Sequence, residues 1–425
     1  MLHVPQWIEK ALSVFVLMAF GGTVLPALLM NGGALPADAD EGGAVMLFYA
    51  AVYLVIIALV MIRPRLAAQV PVVSPLLTAL ILLAGLSAVW SLHPDITVRR
   101  TIALLFTTTF AVYMGLRWRL DEALSLLATA LGILIVVSYV FIVAVPAIGI
   151  DHFLHEGAWK GVFWQKNVTG RMLVWFFLAV LWLLLNGHIR GTMRTVAYGV
   201  LAMGLVMLPL SQSGTALLST ILVVTVLLLA RTLRGRREVL VPMAALLAFL
   251  LLAAVLLTTV FTRDILFALG RDITLTGRTE LWDHTTGDLR DHWMGGWGYA
   301  AYWWGSNGPA AVYTDGWGIT SAHNGWIEIM LDMGLPGLVL MVLLMLKLLA
   351  GGALAARYGD PRNETWWVLA VALGQLAISI SESLFLERHS LNWVVFVIGV
   401  VRVSLLWRAR MRLPDGGGNG LRVPA

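Results

Sequence analysis

The 425-residue sequence contains no cysteine. Disulfides, thiolate metal sites and cysteine nucleophiles are excluded, and the redox compartment stays unread. Charge is scarce too: 12% of residues are Asp, Glu, Lys or Arg, about half the usual share of a soluble domain. There is no Walker lysine loop, no His-Glu-x-x-His and no repeat of fixed period. An Asp-x-Asp pair occurs at Asp38 and Asp40, but in a short loop of small residues. Metal-dependent transfer from a nucleotide sugar is therefore set aside, and no metal or other cofactor is expected.

What the chain has in plenty is apolar length. Hydrophobic residues make up 59% of it and mean hydropathy is +0.85. A helix crosses the hydrocarbon with about 20 apolar residues. Twelve runs qualify: 11–30, 45–62, 71–90, 99–116, 123–146, 167–185, 195–210, 216–230, 239–261, 326–350, 366–384 and 391–407. The expected fold is an all-α polytopic membrane protein of about 12 transmembrane helices with one large outer loop. Its parts are a nine-span region (1–262), that loop (263–325), a three-span region (326–410) and a flexible tail (411–425). The first run is too long for the apolar core of a signal peptide and reads as an anchor.

The net charge of +5 comes from 25 Arg and 4 Lys against 24 acids. Arg63/Arg65, Arg117/Arg119, Arg190/Arg194, Arg231 to Arg237, Arg357/Arg362 and Arg408 to Arg412 fall in alternate connections. Such a bias marks cytoplasmic loops and a lipid bilayer as partner, with no nucleic acid. Both termini are then cytoplasmic, and the loops 31–44, 91–98, 147–166, 211–215, 263–325 and 385–390 lie outside.

Some cations break this bias. Arg99 and Arg100 open the fourth run, and Lys166 opens the sixth with Arg171 one turn inside it. Asn167 and Arg171 share a helix face. An arginine inside a span costs about 2.5–3.5 kcal/mol and usually faces a cavity or a partner; the alternative is snorkelling to the headgroups. Arg100, Lys166 and Arg171 are candidate anion ligands on this reasoning.

The loop 263–325 is the one connection long enough to hold a site. Arg278, in Thr-Gly-Arg-Thr-Glu-Leu-Trp, has the fork that suits phosphate; a salt bridge to Glu280 or Asp283 is an equal reading. His323 is either a general base, with an imidazole reference pKa of about 6.5, or an interfacial hydrogen bonder. Asn324 is a helix N-cap candidate and a candidate sugar contact. The helix it starts would carry Glu328 and Asp332 on one face, with a Gly-Leu-Pro-Gly break at 334–337. The Trp and Tyr residues from Trp293 to Trp326 form either a membrane aromatic belt or flat faces for sugar rings. Trp297 and Trp304 are the candidates for sugar, and interleaved glycines favour a shaped loop.

In order along the chain, five stretches carry a resemblance. They are Trp90-Ser91 to Arg100, Gly161-Val162-Phe163-Trp164-Gln165-Lys166-Asn167, Ser211-Gln212-Ser213-Gly214-Thr215, Thr276 to Trp282, and Ala322-His323-Asn324-Gly325 with Gly334 to Gly337. Together they resemble the O-antigen ligase and polymerase superfamily of bacterial inner membranes (Wzy, WaaL and ExoQ-like), nearest the exopolysaccharide polymerases of the succinoglycan type. The likeness covers roughly residues 85–390. Relatives carry histidine or glycine before the lysine; Gln165 stands there instead and is assigned no role.

The resemblance implies a GT-C-like glycosyltransferase in the inner membrane with its active site facing the periplasm. It would use undecaprenyl-diphosphate-linked glycan without a metal. His323 would be the base that activates the acceptor hydroxyl, and Arg278 would hold the diphosphate. Lys166, Arg171 and Arg100 would assist it. The favoured activity is polymerisation of lipid-linked repeats, by an inverting step and with a chain-length regulator as further partner. A ligase that transfers glycan to lipid A core, and a relative that glycosylates protein, differ only in acceptor. The rival from another class is a flippase for lipid-linked sugars. Transporters place polar groups near the midplane, and here Glu382 and Arg402 are the main mid-span charges.

Overall fold

The computed structural model describes residues 4–24, 43–152, 155–232, 278–305, 308–311, 319–358 and 364–411. The expected span 239–261, most of loop 31–44, residues 263–277, Tyr313, Trp317, Arg234 to Arg237, Arg362 and the tail beyond 411 lie outside these.

The longer helices are α1 (Gln6–Ala19), α2 (Gly43–Ile62), α3 (Pro75–Leu86), α4 (Pro94–Arg117), α5 (Leu120–Ala144) and α6 (Lys166–Leu185). They continue with α7 (Thr192–Leu210), α8 (Gly214–Thr232), α9 (Arg278–Asp288), α10 (Gly325–Tyr358), α11 (Glu364–Ser379) and α12 (Leu391–Met411). Among the described residues no strand forms beyond two isolated bridges. Seven of these helices, α2, α5, α6, α7, α8, α10 and α12, are long and apolar enough to cross a membrane. Four other expected spans are helical but shorter or more charged. α1 has 14 residues, α3 has 12 and α11 has 16, while α4 carries Arg99, Arg100 and Arg117 along its 24. The described residues make an all-helical, multi-pass membrane protein.

α6 is the axis. Its run Leu173 to Val180 is apolar on every side, and a helix of that kind belongs inside a bundle. It is buried almost throughout and packs against α5, α8, α11 and α12. Two indoles of this core have matched tips. Trp175 donates to Asn392 Oδ1 at 2.7 Å and Trp393 to Thr108 Oγ1 at 2.9 Å, so each indole is buried without losing its hydrogen bond. α2 and α7 instead expose Leu47, Leu54, Met61, Val196 and Leu205, the surface a lipid-facing helix presents.

One end of the bundle is locked by ion pairs. Glu9 is wholly buried and takes Arg63 on Oε1 (2.7 Å) and Arg117 on Oε2 (2.8 Å), which joins α1 to the ends of α2 and α4. Arg402 holds Glu364 through NH2 at 2.6 and 2.7 Å and through Nε at 3.1 Å.

The other end is built from loops, and a broken helix positions them. In α10, Gly334 is non-helical (φ 62°, ψ −157°). The break frees the carbonyl of Leu331 and the amide of Leu335, which a continuous helix would pair. The loop after α9 replaces both: Trp297 N donates to Leu331 O (2.7 Å), and Leu335 N donates to Trp293 O (2.8 Å). The exchange needs close backbone approach. A Cβ on Gly334 would meet Met294 backbone at 2.5 Å, and one on Gly296 would meet Leu331 O at 2.6 Å. Buried backbone amides and carbonyls freed by such a break must find new partners, as they do here.

Candidate active site

Five segments close around a cavity of about 440 Å³. They are the Gly21-Gly22 turn, the approach to α6 at Trp164-Gln165, the loop 299–304, the stretch 320–328 and the loop 382–390 between α11 and α12.

The segment carrying His323 is pinned on both sides. Ala322 accepts Trp282 Nε1 on its carbonyl (2.8 Å) and donates its amide to Glu328 Oε2 (2.7 Å). Asn324 then caps α10, its Oδ1 accepting from Trp326 N (2.9 Å) and Ile327 N (3.2 Å). Between these fixed points His323 adopts φ 48°, a left-handed conformation that costs a β-carbon residue of order 1 kcal/mol. Five described non-glycine residues have positive φ: Gln212, Ala300, His323, Leu386 and His389. Four of them line the cavity. The fifth, Gln212, supplies the carbonyl that accepts Lys166 Nζ at 3.3 Å. Strain concentrates where the surrounding structure over-determines the backbone, and such places are commonly functional.

Glu382 is the hub. It is buried in the loop after α11 and receives Asn167 Nδ2 on Oε1 at 2.8 Å. Arg278 NH2 stands 3.4 Å from Oε1, while Arg171 NH1 and His323 Nδ1 stand 4.0 and 3.9 Å from Oε2. Burial works against the charge on Glu382, but His323, Arg171 and Arg278 outweigh it and hold its carboxyl below the ordinary value. Arg278 also donates NH1 to Ser381 O at 2.8 Å. Its partner is thus Glu382, from across the bundle, rather than Glu280 or Asp283 on its own helix. The imidazole of His155 is pushed down by burial and then by Lys166 and Arg278, which places those two cations in one neighbourhood.

A second carboxylate frames this pair. Glu328 accepts Trp303 Nε1 (2.9 Å) on one oxygen, and Ala322 N and Ser383 Oγ (2.9 Å) on the other. It therefore fixes the residue before His323 and the residue after Glu382 together. Asp332 accepts Ala300 N at 2.8 Å and so shapes the loop that carries Trp303 and Trp304.

The sequence-selected residues divide as follows. Arg171, Arg278 and His323 meet at Glu382. Arg100 lies elsewhere on the cavity wall, donating to Ala300 O, with Trp304 beneath it at 5.0 Å. Trp304 lines the cavity, whereas Arg278, Lys166, Asn324 and Trp297 do not. Trp297 stacks on His292 at 3.7 Å and packs on a small separate core of Leu281, Tyr302 and Ala322. Glu328, Asp332, Glu382, Glu387 and Arg388 line the cavity as well. The signal for the first two was their shared helix face, and for Glu382 its charge inside an apolar run. Among the described residues no group of His, Asp or Glu is arranged to hold a metal ion.

No curated protein matches this chain. Residues 199–342, about a third of the chain, match a family model described as O-Antigen ligase. The matched stretch includes Arg278 and His323 but neither Arg171 nor Glu382. It supports the O-antigen ligase and polymerase superfamily as the group this chain is similar to, and with it a multi-pass membrane enzyme.

Proposed function

We propose that this protein is an inner-membrane glycosyltransferase that polymerises undecaprenyl-diphosphate-linked oligosaccharide repeats at the periplasmic face. The observation that carries the reading is the His323–Glu382 pair on the wall of a cavity of about 440 Å³, with Arg171 on the same wall and Arg278 3.4 Å from Glu382.

In this mechanism an acceptor hydroxyl attacks the anomeric carbon of the donor. The bond from that carbon to the diphosphate oxygen breaks, and the diphosphate leaves with the electron pair. His323 turns Nδ1 to Glu382, so Nε2 takes the hydroxyl proton, and Glu382 stabilises the imidazolium that results. Arg171 and Arg278, with Lys166 nearby, meet the negative charge that develops on the leaving group, the task magnesium serves in other phosphate chemistry. Glu382 holds the two guanidiniums at 3.4–4.0 Å, so they are in place before the donor arrives. Attack in one step inverts the anomeric carbon. The sugars lie along Trp164, Trp303 and Trp304, and Asn324 acts on them through the α10 cap. A chain-length regulator is the expected protein partner.

The match to a family described as O-Antigen ligase favours a second reading, in which lipid A core is the acceptor. Transport is disfavoured, because Arg402 is closed on Glu364 and Glu382 sits in a loop rather than mid-span. The deciding experiment uses purified protein, EDTA and a synthetic undecaprenyl-diphosphate oligosaccharide. A ladder from donor alone identifies a polymerase, and product only when lipid A core is added identifies a ligase. An anomeric configuration retained in the product would remove the one-step mechanism.

A further inference from the structure

Beside the main cavity lies a smaller one of about 150 Å³, between α2, α4 and the loop 382–390. Arg99, Arg100 and Arg388 line it together with Tyr49, Tyr53 and His389. Tyr49, Arg100, Arg388 and His389 also line the main cavity, so the two share a wall. That wall is rigid. Tyr49 stacks on His389 at 3.6 Å with rings 4° from parallel, and Tyr53 hydrogen-bonds the same imidazole through its hydroxyl. His389 donates its amide to Thr107 Oγ1 at 3.0 Å and is held at φ 53°. Two of the guanidiniums are held as well: Arg99 and Arg100 lie over Trp304 at 5.9 and 5.0 Å, and Arg100 donates to Ala300 O. Met46 and Ile102 complete the lining and are exposed on the outside of α2 and α4.

We infer that this smaller cavity is a second diphosphate site, which holds the polyprenyl diphosphate of the acceptor. The inference rests on the polymerase reading, in which both substrates are lipid-linked. Three guanidiniums on one small cavity, two of them held in place, suit a multiply charged phosphate group. The cavity has room for a diphosphate and not for an oligosaccharide. Met46 and Ile102 give the isoprenoid tail an apolar path into the bilayer. The donor's diphosphate belongs to Arg171 and Arg278, which Glu382 holds beside His323. The acceptor glycan passes across the shared wall, and its terminal hydroxyl meets His323.

The test counts lipids. The full chain is placed in nanodiscs of phosphatidylcholine and titrated with undecaprenyl diphosphate, and bound ligand is read by native mass spectrometry. Wild type binds two per chain. The double variant Arg99→Gln/Arg388→Gln binds one, with the lost site weakened about tenfold or more. Arg278→Gln loses the other. The site that each variant keeps shows that it is folded. Two intact sites in the Arg99→Gln/Arg388→Gln protein, or only one in wild type, overturns the inference. Two competitors separate the sources of the anion. Inorganic diphosphate should displace the lipid only at much higher concentration, and phosphatidylglycerol not at all. Displacement by phosphatidylglycerol, or by inorganic diphosphate at equal concentration, would make this a general anion site and also overturns the inference. The polymerase reading fails separately, if wild type binds two lipids and forms no ladder from donor alone.

Discussion

At the end of the bundle away from the cavity, each oxygen of Glu9 is taken by a guanidinium at 2.7–2.9 Å, and Glu364 and Arg402 meet at 2.6–3.1 Å. At the cavity, Glu382 has one short contact, 2.8 Å from Asn167, and then stands 3.4–4.0 Å from Arg278, His323 and Arg171. The residue types are the same. A buried ion pair offsets its desolvation only when the geometry is close and complete, so the first group is built for the resting protein alone. The second is loose for its burial, and its cations are spaced so that another anion can come between them. Glu382 completes the charge balance without saturating it. That difference separates a structural lock from a site, and it can be tested at both ends.

The largest effect should fall on activity at the loose end. His323→Ala is expected to cut transfer by about 10²–10⁴-fold, the usual worth of a general base, at unchanged thermal stability. The check is product formation beside a melting curve in detergent. Unchanged glycan ladders would remove His323 from the chemistry. Next comes stability at the tight end. Glu364→Ala leaves Arg402 buried without its counter-charge and should cost about 3–5 kcal/mol, whereas replacing both partners by apolar residues should recover most of it. Glu382→Ala should destabilise far less, because a cavity lies beside its cations. Equal losses at Glu364 and Glu382 would erase the distinction between lock and site.

Arg278→Lys is a smaller change. The ammonium keeps the charge but cannot hold Ser381 O and Glu382 together, as Arg278 does through NH1 and NH2. A loss of about tenfold in transfer is expected, the scale of one charged hydrogen bond. Full activity would show that only the charge matters there. The pH dependence of Glu382 is smaller still. Its carboxyl is held below the ordinary 4.5. Its ion pairs are therefore fully formed above the unfolded carboxylate's pKa and are lost as pH falls through the lowered native value. The activity ratio of wild type to Glu382→Gln should stay flat from about pH 7 to 5 and fall only in more acid solution. A ratio that drops through the neutral range would place the Glu382 carboxyl above its ordinary value and its partners elsewhere.

The sequence made part of this legible. Apolar runs near 20 residues announce spans, because length and hydropathy are fixed by the bilayer. The break at Gly334 was visible as Gly-Leu-Pro-Gly, since glycine and proline constrain the backbone wherever they stand. Arg171 was visible as a cation where topology asked for none. Convergence was not visible. Glu382 lies 104 positions from Arg278 and 215 from Asn167, and nothing local in Ser-Glu-Ser-Leu-Phe says that it leaves the helix to meet them. The expected span ran on to residue 384, but the helix stops at Ser379, just before the polar stretch Ser381-Glu382-Ser383. Trp297 was misleading in kind, because a tryptophan that packs on a loop core and one that faces a cavity look alike in sequence.

The smallest effect concerns Asn324, where two roles can be set apart. Its carbonyl oxygen accepts the amides of Trp326 and Ile327 at the start of α10, and its side chain does not reach the cavity lining. A capping asparagine is worth about 1 kcal/mol, and serine or aspartate replaces it nearly in full while alanine does not. Asn324→Ala should therefore lower stability by about that amount and loosen the segment that holds His323, whereas Asn324→Ser should restore both stability and transfer. A contact to sugar through the amide would behave differently: serine, with no amide, would recover the melting temperature and leave transfer impaired. The serine variant thus tells whether the residue beside the base serves the helix or the substrate.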